Sequence, residues 1–348
     1  MALFRPAFRR ILAALFLTVV AFGAAGPKVL AMTMIATIPG GTYPAWISIN
    51  PLNNRLYVVD FTLSGSLTVI DGNSNTVIGT VPLGNFPRSM ALNPSTNLGY
   101  VTNDGSNNLS VVDLSTNPPL VIGTVPVTSP WHVALNPTTN RLYVTMTSGG
   151  GADVFDTSTT IPTLVDFLPT GNSPADVQVD ETTNRVYVDC STPTAVYVFD
   201  GNNDRRLAVI PVGDTAAFPD RMALNSQTNR LYVSVQLSHN HEAVIDTTTN
   251  SVVATIPFPD APDGVAVDLP TNQIYVGELN PPHNLWQIDG NTNQIVSSIV
   301  PGNTPLGVSI NSQTRRVYTA NAYDNTVSVI DIPSFWAYLP MVPNGSPP

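Results

Sequence analysis

The sequence predicts an all-β fold, a seven-bladed β-propeller of four-stranded antiparallel blades. A tyrosine and a proline each recur every 43–45 residues, and this period is typical of a repeat architecture. Only 11% of the 348 residues are charged, while 32 prolines and 23 glycines favour short strands joined by tight turns. The repeated tyrosines are Tyr57, Tyr100, Tyr143, Tyr187, Tyr232, Tyr275 and Tyr318. The prolines that open the seven copies are Pro44, Pro87, Pro130, Pro174, Pro219, Pro262 and Pro305.

Within one repeat, four short apolar runs alternate with turn sequences. In the second copy the runs cover 88–92, 98–102, 109–113 and 121–126. Asn93-Pro94 starts a turn after the first run, because proline fixes φ and the asparagine side chain can bond to the main chain. Pro126 ends the fourth run and marks it as an edge strand. Each unit is therefore predicted to be a four-stranded antiparallel meander.

The two ends of the repeat region predict that the ring is closed by the N-terminal strand. Residues 35–41 resemble a fourth strand such as 253–257, whereas the last copy stops after its third strand at 326–331. We therefore expect the N-terminal strand to complete the seventh blade. A linear solenoid would need atypical capping repeats, and none of the seven copies has that character.

A family resemblance rests on four motifs. They are Arg-Leu-Tyr-Val-Thr at 141–145, Gly-Tyr-Val-Thr-Asn at 99–103, Val-Ser-Val-Ile-Asp at 327–331 and Val-Ala-Thr-Ile-Pro at 253–257. These motifs resemble those of the YVTN-repeat, or YncE-like, β-propellers, and the resemblance covers 32–333 with seven copies in register. It implies a secreted or periplasmic seven-bladed propeller, because the family occurs in bacterial periplasms and archaeal surface layers. It implies no particular activity, since the motif residues are structural.

The first 31 residues are predicted to be a signal peptide. Arg5, Arg9 and Arg10 form a basic start, 11–25 is an apolar run, and Val29-Leu30-Ala31 provides small residues for cleavage. Cleavage after Ala25, a twin-arginine signal and a retained anchor are the alternatives. We therefore expect a secreted, periplasmic or cell-surface protein with no transmembrane segment after cleavage.

The remaining chain is acidic. It carries ten arginines, no lysine and 24 acidic residues, a formal net charge of −14. Such a surface repels phosphate groups, so nonspecific nucleic-acid binding is disfavoured. The lone Cys190 cannot form an internal disulfide and is expected to be a small buried or half-buried residue. The tail over 334–348 lies outside the repeats, and its aromatic residues favour packing on the ring or a role in attachment. We expect a monomer.

Comparison of the copies separates structural positions from candidate functional ones. An Asn-Arg pair recurs at the turn after the first strand, and an aspartate ends the third strand in all seven copies. Residues repeated in this way are expected to cap turns, to bridge blades or to form Asx-turns. The arginines are Arg55, Arg141, Arg185 and Arg230. The aspartates are Asp71, Asp113, Asp156, Asp200, Asp246, Asp289 and Asp331.

The two residues after each opening proline vary instead. By analogy with other propellers, the first strand of each blade is innermost. These residues would then line the mouth of the central channel. We call this side of the ring the funnel face; it carries the loops that enter each first strand and the loops that join each second strand to the third. Aromatic and charged groups together suit a small polar or sugar-like ligand, whereas a solvated rim is the alternative. The candidates are Trp46, Arg88, Trp131, His132, Asp176, Asp220, Arg221 and Asp263.

A weaker hypothesis concerns a metal. Imidazole and carboxylate groups suit zinc, copper or nickel, and several are predicted in neighbouring loops of blades five and six. Their spacing matches no standard metal motif, and solvated histidines are the alternative. No cofactor is therefore predicted, although a divalent transition metal would use these residues. They are His239, His241, Glu242, Glu278 and His283.

The sequence lacks a nucleophile elbow, a zincin helix, a phosphate-binding glycine loop and a haem attachment motif. It therefore favours a binding or interaction scaffold that takes a protein, a glycan or a small polar ligand on its funnel face. The first alternative is a propeller enzyme of lactonase, lyase or hydrolase type that uses polar residues at the channel mouth, such as the acids Asp220 and Asp263. The second is a structural protein of the cell surface, attached through 334–348.

Overall fold

The computed structural model describes residues 31–332, which form 28 strands in seven four-stranded antiparallel sheets and no helix. The prediction of a seven-bladed propeller is confirmed. The predicted tail, and all but the last residue of the predicted signal peptide, lie outside the described residues. Within 31–332 there is no helix of the length and apolarity needed to cross a bilayer.

The blades are numbered in chain order. Blade 1 has β2 (Pro44–Asn50), β3 (Arg55–Asp60), β4 (Ser66–Asp71) and β5 (Thr76–Pro82); blade 2 has β6 (Pro87–Asn93), β7 (Leu98–Asn103), β8 (Asn108–Asp113) and β9 (Leu120–Pro126). Blade 3 has β10 (Pro130–Asn136), β11 (Arg141–Met146), β12 (Gly151–Asp156) and β13 (Thr163–Pro169); blade 4 has β14 (Asn172–Asp180), β15 (Arg185–Thr192), β16 (Thr194–Asp200) and β17 (Arg205–Pro211). Blade 5 has β18 (Phe218–Asn225), β19 (Arg230–Gln236), β20 (His241–Asp246) and β21 (Ser251–Pro257); blade 6 has β22 (Pro262–Asp268), β23 (Gln273–Glu278), β24 (Leu285–Asp289) and β25 (Gln294–Ile299). Blade 7 has β26 (Pro305–Asn311), β27 (Arg316–Asn321), β28 (Thr326–Asp331) and, from the N-terminal end, β1 (Thr33–Pro39).

The first strand of each blade is innermost, because the first strands of neighbouring blades contact one another around the whole ring. The second and third strands are buried on both faces, as β3 and β4 illustrate. In six blades the fourth strand is largely exposed and buries one apolar residue before a closing proline, such as Val81 before Pro82 in β5; β25 of blade 6 is the exception. The closing proline needs no partner for a backbone N–H on the outer edge.

Apolar clusters hold the blades together, one at each interface. Each repeated tyrosine is almost completely buried. Tyr187 of blade 4 packs with Met222 and Leu231 of blade 5. Tyr318 of blade 7 packs in the same way with Ile47 and Leu56 of blade 1. The interface that closes the ring is therefore built like the other six.

The N-terminal strand completes the last blade, as predicted. β1 pairs antiparallel with β28, from Thr33 opposite Asp331 to Pro39 opposite Thr326. This pairing gives the outer edge of β28 a partner, so that the chain joins its first strand to its last.

The repeated polar residues have the structural roles expected of them. Asp71 accepts a hydrogen bond from the Asn73 amide at 2.8 Å, which is an Asx-turn, and five of the other six aspartates bond the second residue after them in the same way. Arg185 donates to the Thr247 carbonyl of the next blade, while Arg230 pairs with Asp246 of its own blade at 2.8 Å. Arg185 therefore bridges two neighbouring blades, whereas Arg230 caps a turn within its own blade.

Candidate functional site

The variable residues after each opening proline lie at a β-bulge. In all seven blades the register between the first and second strands shifts at this point. In blade 3, Pro130 pairs with Met146 and Val133 with Val144, so two residues on β10 oppose one on β11. A bulge breaks the strict alternation of a strand and changes the direction of its side chains. The bulges therefore direct the variable side chains toward the centre of the ring.

Five of these side chains, from five different blades, meet at the centre; we call them the channel cluster. His132 Nδ1 lies 2.9 Å from Asp176 Oδ1, and Arg221 Nε donates to Asp263 Oδ1 at 3.2 Å. Arg221 Nη1 also contacts His132 Nε2. Trp46 packs edge-on against His132, with ring centroids 4.9 Å apart, and lies under the Arg221 guanidinium. The cluster links blades 1, 3, 4, 5 and 6.

The imidazole of His132 is held in its neutral form. Its side chain is 1% exposed. Burial, and then the positive charge of Arg221, lower the pKa of His132. In the tautomer assigned from these contacts, Nδ1–H donates to Asp176 and Nε2 accepts from Arg221. Both ring nitrogens are thus occupied, and neither is free to act as a base.

Asp176 of the channel cluster is held in place by a second buried acid, Asp189. Burial alone would raise the pKa of Asp176, but the contact with His132, the charge of Arg221 and the Met222 amide lower it. The Asp189 Oδ1 accepts from the amides of Ala175 and Asp176 at 3.1 and 2.6 Å. Burial, and then the nearby Asp176 carboxylate, raise the pKa of Asp189 well above its ordinary value.

Two carboxyl groups lie together on the other side of Arg221. Gln236 Nε2 is 3.5 Å from both Asp220 Oδ2 and Asp263 Oδ2, and it donates to the Pro262 carbonyl at 2.9 Å. Burial, and then the charge of Asp220, raise the pKa of Asp263 to about 8. Two acids so close together favour sharing one proton.

An aromatic layer, formed by Tyr43, Phe61, Phe86, Trp131 and Tyr323, covers part of the funnel face. The Arg88 guanidinium lies 4.3 Å from the centroid of Phe61 and 3.3 Å from that of Trp131. It also pairs with Asp104 at 3.1 Å. Phe61 contacts both Phe86 and Tyr43, with centroids 5.2 and 6.0 Å apart, and Tyr43 meets Tyr323 edge-on at 5.5 Å. The layer runs across blades 7, 1, 2 and 3.

The structure brings the eight channel-mouth candidates together in two neighbouring groups. Trp46, His132, Asp176, Arg221 and Asp263 form the channel cluster, Asp220 adjoins it, and Arg88 stacks on Trp131 above. His132, Asp176 and Asp263 are at most 4% exposed, so they lie beneath the mouth and not on its rim. The innermost strands pack closely enough for their side chains to meet across the axis, which the sequence comparison did not predict.

Several residues of the site were not among the candidates. Tyr43, Phe61, Phe86 and Tyr323 lie in loops, and Gln236 ends a second strand. One signal was available for Asp189, since it occupies the position of Thr102 and Thr145 in the preceding copies, where the hydroxyl accepts the same backbone amide. The aromatic layer gave no such signal, because its contacts join different blades.

The five metal candidates do not form a ligand set. Within 31–332, no group of three or more His, Cys, Asp or Glu side chains has an arrangement that would hold a metal. His241 and Glu242 are the first two residues of β20, so they point to opposite faces. His241 Nε2 donates to the Val212 carbonyl at 3.0 Å, whereas Glu242 is buried and accepts from Ser234.

The other three metal candidates have separate environments too. Glu278 is buried and accepts from Asn284 Nδ2 at 2.9 Å. His239 is 85% exposed, and its nearest acid is Asp214, at 3.7 Å. His283 lines a cleft on the funnel face.

Comparisons with known proteins agree with this architecture. A family model described as "YNCE-like beta-propeller" matches residues 24–316. No curated protein sequence gives a significant match. Among solved structures, a chain of Kuenenia stuttgartiensis hydrazine synthase is similar, with a TM-score of 0.72 and 21% identity over 84% of this chain and 96% of that one. At this level of identity the likeness shows the fold alone.

Proposed function

This chain belongs to the YNCE-like β-propeller family, and on that basis we propose that it is a binding module without catalytic activity whose ligand docks on the funnel face. The observation that carries the proposal is the aromatic layer above a filled ring centre. Arg88 is sandwiched between Phe61 and Trp131, which fixes the aromatic faces in place. Rigid aromatic faces beside hydrogen-bonding groups are what a small polar ligand needs.

The channel cluster supports binding on the surface over chemistry at the centre. Trp46, His132 and Arg221 fill the axis and contact one another. The His132 imidazole is neutral and has both nitrogens engaged. A group in that state has no lone pair to activate water or a substrate. In this proposal the cluster locks five blades in register beneath the ligand.

The enzymatic alternative has one observation in its favour. Asp263 has a pKa raised to about 8, beside the carboxylate of Asp220. A carboxyl group with a raised pKa beside a second carboxyl group is one arrangement that general acid–base catalysis uses. Asp263 is only 4% exposed and its Oδ1 is paired with Arg221, so it lacks ready access to a substrate. We therefore rank catalysis second.

We also propose that the protein acts outside the cytoplasm. The proposal rests on the N-terminal sequence pattern, which lies outside the described residues, and on family membership. N-terminal sequencing of the protein recovered from an expressing bacterium tests it. We expect the exported protein to start at Gly26 or at Met32, after one of the two cleavage sites. A protein that retains Met1 and stays in the cytoplasm would contradict the proposal.

A thermal-shift screen tests the binding function. The panel contains neutral oligosaccharides, amino acids, short peptides and quaternary ammonium compounds. A ligand at one hundred times its Kd stabilises the fold by about 2.7 kcal/mol. We expect at least one class to raise the Tm, and Trp131→Ala to reduce that shift. Leu52→Ala is the control, since Leu52 is an exposed apolar residue in a turn on the opposite face.

Two results would overturn this function. One is that no compound shifts the Tm of the wild type. The other is turnover of an ester, lactone or glycoside substrate that Asp263→Asn abolishes and Leu52→Ala leaves intact, since this would establish the enzymatic alternative.

A further inference from the structure

A cleft of about 580 Å³ opens on the funnel face where blades 6, 7 and 1 meet. Tyr43 and Tyr323 form one wall and His283 lies in the lining, with Leu279 and Leu306. Tyr323 is 64% exposed, although it is aromatic. The cleft volume lies within the range of small-molecule sites, about 300–1,000 Å³. We call it the side cleft.

His283 carries an unpaired polar atom in the lining of the side cleft. Its φ is +61°, in the left-handed region that Tyr43 and Thr304 of the same lining also occupy. Its Nδ1 atom is buried and has no hydrogen-bond partner within the described residues. An unpaired buried polar atom costs free energy, and a partner from a bound ligand is one explanation for it.

The rest of the side cleft is uncharged and held rigidly. The Tyr43 amide donates to Asn325 Oδ1 at 2.8 Å, which fixes blade 1 against blade 7. Burial, and then the Tyr323 hydroxyl, raise the pKa of Tyr43, so the phenol stays neutral. Asn280 and Asn303 contribute amides to the lining. The nearby acids Asp260 and Asp324 already accept hydrogen bonds, from Asn280 Nδ2 and the Asn303 amide.

We propose that the side cleft binds a neutral glycan, with a sugar ring stacked on Tyr323 and a hydroxyl group bonded to His283 Nδ1. This inference rests on the proposed binding function and specifies its ligand. A hydroxyl both donates and accepts, so it satisfies Nδ1 in either tautomer of the imidazole. The amides of Asn280 and Asn303 suit further hydroxyls for the same reason.

Charged ligands fit these residues less well. The lining contains no lysine or arginine to neutralise an anion, and the acids at the rim repel one. A quaternary ammonium ion would find aromatic faces, but it offers no hydrogen bond to His283. The unpaired Nδ1 atom therefore favours a sugar.

Isothermal titration of the full-length protein with neutral probes tests the proposal. The probes are cello-, malto-, xylo- and chito-oligosaccharides, and choline is the competing cation. We expect at least one oligosaccharide to bind. Tyr323→Ala and His283→Ala should each weaken that binding by about tenfold or more, the equivalent of about 1.4 kcal/mol.

Matched variants separate binding from folding. Tyr323→Phe keeps the stacking face, so its affinity should stay within about twofold of wild type. His283→Asn tolerates the left-handed backbone and retains a polar side chain, so it should restore part of the affinity that His283→Ala loses. Leu237→Ala should have no effect, because Leu237 is an exposed apolar residue of blade 5, on the same face but outside the cleft.

Each contrary outcome has a distinct meaning. Choline binding that depends on Tyr323, without oligosaccharide binding, overturns the glycan inference and leaves the binding function standing. The same holds if a ligand binds but only Trp131→Ala weakens it. If no oligosaccharide binds and no compound of the thermal-shift panel does either, both proposals fail together.

Discussion

Glu242 shows, at the scale of a single residue, how burial fixes a protonation state. It is fully buried in β20, Ser234 Oγ donates to its Oε2 at 3.1 Å, and its Oε1 has no partner within the described residues. Burial raises the pKa of Glu242 well above its ordinary value. The folded state therefore binds this proton more tightly than the unfolded chain does. The stability that protonated Glu242 contributes is complete below the ordinary pKa of glutamate. It is lost as the pH rises toward the pKa of Glu242 in the folded state.

The variant Glu242→Gln should remove this pH dependence. Glutamine keeps the shape of the protonated acid but cannot ionise. We expect the variant to gain stability relative to wild type above pH 5, by up to about 1.4 kcal/mol per pH unit until the folded pKa is reached. Urea unfolding at pH 5, 7 and 9 measures it. A constant difference between the two proteins across that range would contradict the buried-acid assignment.

Asp176 anchors the charges of the channel cluster. Asp176→Asn would weaken the acceptor that His132 Nδ1 and the Met222 amide share, and hydrogen bonds to a charged group are worth about 1.5–3 kcal/mol each. Asp331→Asn is the control, since Asp331 is exposed, and such changes stay within about 0.5 kcal/mol. Thermal unfolding compares the two variants. Equal Tm values would mean that the cluster does not stabilise the ring.

The residues of the site were predictable only in part. The variation after each proline identified Trp46, His132 and Arg221, because a bulge position varies freely while the frame repeats. Their burial was not predictable, since it depends on how closely seven inner strands approach the axis. Tyr43 and Tyr323 were missed because they are 280 residues apart and meet only when blade 7 closes on blade 1.

At the scale of the blade, the interface between blades 6 and 7 has an ion pair where other interfaces have an amide pair. Asn225 Nδ2 donates to Asn272 Oδ1 at 2.7 Å between blades 5 and 6, and the same amide contact joins blades 3 and 4, and 7 and 1. Between blades 6 and 7 the equivalent residues are Asp268 and Arg315, which form an ion pair. The repeated asparagines are visible in the sequence. The sequence does not show that Asp268 and Arg315, which stand in their places, contact each other.

A double-mutant cycle tests this pairing. Arg315→Asn alone leaves a completely buried Asp268 without its cation, and we expect a loss of about 3 kcal/mol. Adding Asp268→Asn should recreate the amide pair and recover most of that loss, a coupling of about 1–3 kcal/mol. Urea unfolding of the two single variants and the double variant gives the coupling. Additive losses would show that the two residues do not act as a pair.

At the scale of the whole molecule, the ring depends on β1. Ile38 is 2% exposed and packs in the cluster that joins blades 7 and 1, whereas Met34 of the same strand is 44% exposed. Ile38→Ala should therefore cost about 2–5 kcal/mol, and Met34→Ala should cost little. Thermal unfolding measures both. Equal effects would contradict closure through β1, which the sequence predicted from the match between 35–41 and the fourth strands.

The ligand is proposed to bind on the funnel face and not on the far face. Amide hydrogen exchange, with and without the panel compound that raises the Tm most, tests this claim directly. We predict slower exchange in the funnel-face loops 40–43, 83–86, 279–284 and 301–304, with no change in the far-face turns 51–54 and 94–97. Protection confined to the far-face turns or to the outer strands would contradict it.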